Sequence, residues 1–253
     1  SVMFCDKANW FKPDGGLKDM SCRVALLKME KDGHFVLPPP KKKHTKPYKK
    51  IRTNFAKEQP KITKKAGAFN LNLEQVERKN STLWNEFIDR YHYLGYKALP
   101  GAQLRYFVKS EGQILALLGF GAAAWTTAPR DKYIGWSSQA RKKNLHLIIN
   151  NARFLILPWV QSKNLGSKIL SLVSKQISTD WEQRYKYRPV LLETFVEKQR
   201  FRGTCYRAAN WRVVGETRGK GKLGKRDGEV PVKSVLVYPL RKDFRRQLSS
   251  LQQ

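Results

Sequence analysis

The middle of the chain carries a strand, a polar loop, a long helix and a second strand in direct succession. Residues 151–160 read NARFLILPWV, an apolar run rich in branched and aromatic side chains that favours a strand. Residues 165–185 repeat apolar side chains at every third or fourth position, which is the spacing of one helix face. Residues 189–196 read PVLLETFV and are typical of a strand buried on both faces. This order predicts an α+β fold in which helices pack on a sheet.

Shorter patterns on either side extend this prediction. Ser81 is the predicted N-cap of a helix that leads into the string RYHYLGY. Two apolar runs flank Ser110, Glu111 and Gly112 and predict a hairpin. The remaining predictions are a short strand at 131–137, a helix or loop at 141–150, a short helix at 203–210, a turn at 211–215 and a last strand at 232–240.

The chain is strongly basic, because 50 Lys and Arg stand against 20 Asp and Glu, for a formal net charge of +30. An excess of this size is typical of proteins that neutralise nucleic-acid phosphates. An anionic membrane surface would attract it too, but no run of about 18 apolar residues marks a membrane span, so we expect nucleic acid, DNA above all, as the partner. The hydrophobic fraction of 41% is enough for a packed core and excludes a wholly disordered polycation.

Residues 38–69 are predicted to form a basic arm. Apolar residues are few and show no period, and Glu58 is the only acid between residues 38 and 65. Tyr48 and Phe55 lie among the cations, where they would stack on bases. A solvated tether and a localisation signal are the alternatives. The residues predicted to bind nucleic acid, in this arm, in an N-terminal helix and in the Gly-rich loop 218–228, are Lys18, Arg23, Lys41, Lys42, Lys43, Lys49, Lys50, Arg52, Lys64, Lys65, Arg218, Lys220 and Lys222.

Residues 1–37 are predicted to form a partial winged-helix-like segment. A helix over 18–31 ends at Asp32 and Gly33, and HFVL at 34–37 predicts a short extended piece. This helix either reads DNA or simply packs. The predicted organisation is therefore a segment at 1–37, the basic arm at 38–69 and an α+β domain at 70–253.

The three cysteines, Cys5, Cys22 and Cys205, show neither a CxxC pair nor Cys/His zinc spacing, so no metal site is assigned to them. A sparse, odd set fits a reducing compartment better than a disulfide framework. The predicted location is the cytoplasm.

The loop after the first central strand has the features of a phosphate cradle. It contains Gln161, Asn164, Gly166 and Ser167 at the start of a helix, whose free N–H groups and dipole favour an anion. With the element order over about residues 100–240, the loop resembles the Gln/Arg-x-x-Gly-x-Gly/Ala turn of GCN5-related N-acetyltransferases, with Asn164 in place of the middle Gly. The resemblance implies a mixed sheet with flanking helices and acetyl-coenzyme A held by these four residues. It also implies a general acid at Tyr206.

Three side chains are candidates for chemistry. Tyr206 is the general acid of an acyltransferase, a nucleophile that attacks a phosphodiester, or a buried tyrosine with a satisfied hydroxyl. Glu193 lies within an apolar strand, where a carboxylate needs a partner, a proton or a metal ion. Asp131 would pair with neighbouring basic residues, or join Glu193 in holding Mg²⁺ for phosphodiester cleavage. Mg²⁺ and acetyl-coenzyme A are the two cofactors left open.

A longer set of strings, among them GLKDMSCRVALL, RYHYLGY, NNARFLILPWV, RPVLLETFV and GTCYRAANW, resembles the DruA family of the Druantia anti-phage system and of mobile genetic elements. The resemblance covers about residues 9–248 and implies a role in defence or in DNA mobility. The first hypothesis is a DNA-binding protein on an acyltransferase-like scaffold, with or without strand cleavage. The second is an acetyl-coenzyme A-dependent N-acyltransferase acting on a basic protein or a nucleic-acid-bound substrate. The third is a non-enzymatic interaction protein that recruits a larger helicase or nuclease. Other defence-system or mobile-element proteins are also expected as partners.

Overall fold

The computed structural model of the chain describes residues 1–13, 15–39, 52–219 and 230–251. The chain divides into two compact units, Ser1–Lys50 with Tyr185–Tyr187 and Ile51–Arg184 with Arg188–Gln253. Among the described residues, no helix is both long enough and apolar enough to cross a membrane.

The smaller unit holds two helices, α1 (Val2–Lys7) and α2 (Asp19–Lys31), and each buries one cysteine. α2 occupies nearly the whole range predicted for it and ends before Asp32. Within the short extended piece predicted at 34–37 and just beyond it, the described residues 35–39 make no strand pairing. The winged-helix-like character of this segment therefore stays a prediction.

The larger unit has the predicted α+β composition. In chain order, its elements are β1 (Ile62–Thr63), β2 (Asn72–Gln75), α3 (Ser81–Tyr91), β3 (Gln103–Ser110), β4 (Gln113–Ala122), α4 (Ala128–Ile134), α5 (Ser138–Asn144), β5 (Ile148–Ile156), β6 (Val160–Gln161), α6 (Leu165–Tyr185), β7 (Leu191–Glu197), α7 (Thr204–Ala208), β8 (Arg212–Glu216), β9 (Lys233–Pro239) and α8 (Phe244–Ser249).

Seven strands form one mixed sheet in the order β2-β3-β4-β5-β7-β9-β8, which confirms the predicted mixed sheet. All neighbouring pairs are antiparallel except β5 and β7. That pair is parallel and short, because its register covers only Ile148–Asn150 against Leu191–Glu193. β5 then continues along β4 to Ile156, and β7 continues along β9 to Glu197. The two strands therefore part in the middle of the sheet.

The predicted apolar stripe of α6 is buried. Leu165, Ile169, Val173 and Ile177 are each 0% exposed, at the four-residue spacing of one helix face. β4 is likewise buried along almost its whole length, as its near-continuous apolar sequence requires. The hairpin of β3 and β4 turns at Glu111 and Gly112, both with positive φ.

The strand predicted at 131–137 is wrong, because this stretch lies largely in α4 and the turn that follows it. Pro129 stands in the first turn of α4, where its missing N–H costs no hydrogen bond. The Asp131 carboxylate accepts from the Thr127 N–H at 3.2 Å. Gly135, with a φ of +82°, ends the helix.

Two smaller predictions also need correction. Residues 212–216 form β8 rather than a turn, because they pair with β9 at the edge of the sheet. The residue that precedes α3 as its N-cap is Asn80, and Ser81 is the first helical residue.

The described part of the predicted arm, residues 52–69, belongs to the larger unit and packs on its helices and strands. The Arg52 guanidinium pairs with Asp89 of α3 at 2.7 Å. The N–H and hydroxyl of Thr53 donate to the Glu86 carboxylate at 2.6 and 2.8 Å. β1 pairs in parallel with β6. These contacts tie the arm's C-terminal half to α3 and to the loop before α6.

Candidate functional site

A cavity of about 980 Å³ opens where β5 and β7 part. Its walls come from residues 150–156 of β5, 194–196 of β7 and 203–206 at the start of α7. Residues 91–94, at and after the end of α3, complete much of the lining together with Val230, Pro231 and Lys233, before and in β9. A cavity of this size matches small-molecule pockets, which span about 300–1,000 Å³. We refer to it below as the β5–β7 cavity.

Tyr206 lies in the wall of this cavity and is 8% exposed. Its hydroxyl donates a hydrogen bond to Asn151 Oδ1 at 2.6 Å. Burial raises the pKa of the Tyr206 phenol, so the group stays protonated at neutral pH. A protonated phenol suits a general acid, whereas a nucleophile must first lose its proton.

An aromatic cluster, which we define as His92, Tyr93 and Phe201, also lines the cavity. The His92 ring stacks on Tyr93 at 4.9 Å between centroids, and Tyr93 meets Phe201 at 5.2 Å. Tyr93 is 39% exposed and Phe201 is 49% exposed. The Arg200 guanidinium lies 5.3 Å from the centroid of the Tyr93 ring. Burial, together with the charge of Arg153, lowers the pKa of His92 to about 4.

Asn150, Asn151 and Arg153 are lining residues that the sequence analysis did not single out. The Asn151 amide donates to the carbonyl oxygens of Gly119 and Arg153 at 3.3 and 3.0 Å while holding Tyr206. Asn150 Oδ1 and Arg153 Nε are buried atoms with no hydrogen-bond partner within the described residues. An unpaired buried polar atom costs about 1–3 kcal/mol and is rare. The string NNARF at 150–154 could have indicated these polar lining residues, because two amides and a guanidinium interrupt an otherwise apolar strand.

Glu193 and Asp131 do come together, but around an arginine. The fully buried Arg130 donates to Glu193 Oε2 at 2.8 Å and to Asp131 Oδ1 at 2.8 and 3.0 Å. The second oxygen of Glu193 accepts from the Ala124 N–H at 2.8 Å. Asp131 Oδ1 also accepts from the Trp136 indole at 3.1 Å. We call this group the Arg130 network.

The Arg130 network does not fit the predicted Mg²⁺ site. A guanidinium already occupies the space between the two carboxylates, and it donates to both of them. Magnesium binds carboxylate oxygens that face it together with several waters. Among the described residues, no group of three or more His, Cys, Asp or Glu side chains is arranged to hold a metal ion. The network's geometry is that of a buried structural ion pair.

The predicted cofactor loop has a left-handed residue at the position of the motif's middle glycine. Asn164 adopts a φ of +66°, the left-handed conformation that a glycine would supply. The Ser167 hydroxyl donates to the Asn164 carbonyl at 2.9 Å. A Cβ on Gly166 would lie 3.0 Å from the Cβ of Cys205, so this glycine allows α6 to pack close to α7. The loop therefore shares one left-handed residue with the motif, and Asn164 adds a side chain that the motif's glycine lacks.

The loop packs against two lining residues of the β5–β7 cavity, Ile156 and Cys205, but is itself held by β1 and by the segment before β2. The backbone of Val160 and Gln161 is paired with β1, and the Lys168 ammonium donates to the carbonyl oxygens of Ala66 and Phe69 at 2.9 Å each. None of the four predicted cofactor residues is a lining residue of the cavity, whereas Tyr206 is.

The residues predicted to bind nucleic acid fall into two groups. Those outside the described residues are Lys41, Lys42, Lys43, Lys49, Lys50, Lys220 and Lys222. Among the others, Lys18 is half-buried, and Arg23, Arg52, Lys64, Lys65 and Arg218 are exposed. Three of them already have acidic partners: Arg23 with Asp19, Arg52 with Asp89 and Lys64 with Glu111.

Comparison with known proteins identifies one family. The family described as Druantia protein DruA matches residues 28–230 of the chain. The search of curated proteins found no match to this chain.

Among solved structures, acetyltransferases are similar to the chain. Polyamine N-acetyltransferase from Drosophila melanogaster has 12% identity and a TM-score of 0.43, covering 67% of this chain and 100% of its own. Spermidine N-acetyltransferase from Vibrio cholerae has 10% identity and a TM-score of 0.45, covering 70% and 97%. The aminoglycoside acetyltransferase AAC(6')-Ib, solved with coenzyme A, has 14% identity and a TM-score of 0.46, covering 70% and 98%.

Proposed function

The chain belongs to the DruA family, and we propose on this premise that it is a DNA-binding protein of an anti-phage defence system or a mobile genetic element. Its cationic surface would hold the phosphates, and the β5–β7 cavity would present side chains to the bound strand. DNA-strand processing at this cavity is a further step that the proposal does not require.

The observation that carries this proposal is the charge of the cavity and its surroundings. Arg153, Arg202 and Lys233 line the cavity, and no Asp or Glu stands among the lining residues in the part of the chain that the structure describes. Exposed Arg218 lies next in sequence to the lining residues Thr217 and Gly219. A cavity lined by one sign of charge concentrates ligands of the opposite sign. In a chain of net charge +30, it favours a polyanion over a cationic or neutral substrate.

The test is the salt dependence of DNA binding. A protein that contacts about six phosphates loses affinity on the order of 10³-fold between about 50 and 200 mM salt. We expect a log–log slope of that size for both single-stranded and duplex DNA, measured by fluorescence anisotropy. Arg202→Gln should lower the slope by about one contact, while Trp125→Ala, which removes no charge, should leave it unchanged. A flat salt dependence contradicts the proposal.

A second candidate function is acetyl-coenzyme A-dependent acyl transfer. One observation favours it: the buried, protonated Tyr206 lies at the junction of two parting strands, where it would protonate a departing thiolate. Gln161, Asn164, Gly166 and Ser167 would hold the pyrophosphate of the cofactor, which supplies the acyl group when bound. A basic protein or a nucleic-acid-bound amine would be the acceptor.

Calorimetric titration with acetyl-coenzyme A tests this second function, with inorganic tripolyphosphate as the control for non-specific anion binding. Saturable binding that tripolyphosphate does not mimic, followed by acyl transfer that Tyr206→Phe abolishes, would establish it. Equal heats from acetyl-coenzyme A and tripolyphosphate would contradict the acyltransferase function. Intact acyl transfer in Tyr206→Phe would remove the general-acid role alone.

A further inference from the structure

The aromatic cluster has the properties of a stacking platform. Tyr93 and Phe201 expose 39% and 49% of their surface although both are large and apolar in character. Exposed rings that gather at a cavity mark ligand sites more often than isolated exposed rings do. The π-face of a nucleobase stacks on such rings whatever the base, which makes the platform tolerant of sequence.

Cationic side chains lie beside these rings, where they could bind the phosphate of a nucleotide. Arg200 lies over the Tyr93 ring, and Arg202 follows Phe201 directly in the chain and lines the cavity. Arg200 is also paired with Glu197 at 2.9 Å, whereas Arg202 is exposed. A ring on which a base can stack and a guanidinium that can donate to its phosphate thus belong to adjacent residues, Phe201 and Arg202.

The unpaired polar atoms of β5 supply the third requirement. Asn150 Oδ1 is a buried acceptor and Arg153 Nε is a buried donor, both in lining residues. The polar edge of a nucleobase presents donors and acceptors side by side and would satisfy both atoms. A purely apolar ligand would leave both of them unpaired.

We propose that the β5–β7 cavity receives one nucleotide that is unstacked from a DNA strand, with its base on Tyr93 and Phe201 and its polar edge toward Asn150 and Arg153. This inference rests on the proposed DNA-binding function and adds the site and the part of the DNA that enters it. The bound species is a nucleotide within a strand, so single-stranded DNA binds better than a fully paired duplex of equal length.

Photocross-linking tests the site directly. Single-stranded DNA carrying 5-iodouracil is bound to the full chain at about 50 mM salt, irradiated and mapped by mass spectrometry of the tryptic peptides. We expect cross-links at Tyr93 and Phe201. Cross-links confined to residues outside the cavity, with DNA still bound, would overturn the inference and leave the proposed function intact. Absence of any DNA binding would overturn both.

Variants give a second and independent readout. Phe201→Ala and Tyr93→Ala should each weaken single-strand affinity by about 5- to 150-fold, the range measured for one base–aromatic stack. The salt slope should not change, because no phosphate contact is lost. The matched control is Trp125→Ala, since Trp125 is 54% exposed and does not line the cavity.

Two outcomes of the variant experiment contradict the proposal. Equal affinity for Trp125→Ala and both cavity variants would show that the platform does not touch the strand. Binding of acetyl-coenzyme A that Phe201→Ala abolishes, with DNA affinity unchanged, would assign the cavity to the cofactor instead. Thermal melting of each variant separates loss of fold from loss of contact.

Discussion

At the scale of single residues, Arg130 is a fully buried cation that neutralises two carboxylates. It is 0% exposed and bonds to Glu193, Asp131 and the Ala124 carbonyl. Its partner Glu193 is the last residue of β7 in register with β5, opposite Asn150. The Arg130 network therefore lies at the point where the two strands part.

We expect Arg130→Met to lower the free energy of unfolding by about 3–5 kcal/mol, because it leaves the buried Glu193 carboxylate without its counter-charge. The measurement is urea denaturation followed by circular dichroism. The double variant Arg130→Met with Glu193→Gln should recover part of the loss, since no uncompensated charge then remains. Additive losses from the two single changes would show that the pair is not coupled.

His92 makes the stability of the protein depend on pH. Its pKa is lowered from 6.5 to about 4 in the folded state, because burial and Arg153 disfavour the charged ring. Between these two values the unfolded chain binds more protons than the folded one. The free energy of unfolding should therefore fall as pH falls from about 6.5 toward 4, and this contribution should level off below that.

His92→Gln should remove that slope while leaving stability at about pH 7.5 little changed. Urea midpoints measured at several pH values between about 7.5 and 4.5 test this. The control is His146→Gln, because His146 is a half-buried histidine that does not line the cavity. An unchanged pH slope in His92→Gln would contradict the assignment.

At the scale of elements, the two-residue β1 depends on a few backbone bonds. The Ile62 N–H donates to the Trp159 carbonyl at 2.8 Å. We expect Ile62→Pro to detach β1 from β6, because proline has no N–H to donate. Trypsin should then cleave within residues 57–65 at least several-fold faster, at an unchanged melting temperature of the larger unit. Ile62→Val, which keeps the donor, should cleave at the wild-type rate.

Elements whose pattern is local were predictable from the sequence. β5, α6 and β7 each carry an apolar run or stripe of sufficient length, and the structure places them within a few residues of the prediction. α4 was missed because Pro129 and Asp131, which start a helix, stand directly before aromatic residues that favour a strand. β1 has only two residues between lysines, so its pairing with a loop about 100 positions away leaves no periodic signal.

The candidate site divides in the same way. Tyr206 and the proposed cofactor loop were predicted from motifs that occupy a few consecutive residues, and of these Tyr206 lines the cavity. The cavity itself was not predictable, because it exists only where β5 and β7 part. The two strands part because β5 continues along β4 and β7 continues along β9, and these pairings join distant parts of the chain. Glu193 was correctly expected to need a partner, but the partner, Arg130, is 63 residues away in the chain.

At the scale of the whole molecule, the net charge of +30 acts on stability as well as on binding. Like charges repel one another more strongly in the compact chain than in the expanded one, and salt screens that repulsion. We expect the melting temperature to rise by several degrees between about 20 and 300 mM NaCl. The combined change of the exposed Lys57, Lys61 and Lys65 to Gln should raise the low-salt melting temperature and reduce this dependence. A melting temperature that falls with salt would show that attractive ion pairs dominate.

The short register between β5 and β7 has a mechanical meaning. Four strands lie on one side of it and three on the other, and the backbone register between the two groups covers three residue pairs. We infer that the two groups of strands open independently of each other, because few backbone hydrogen bonds join them. Amide hydrogen exchange should therefore resolve two protected blocks of strands rather than one. Arg130 links the two blocks, because it bonds to Glu193 of β7 and to the Ala124 carbonyl after β4.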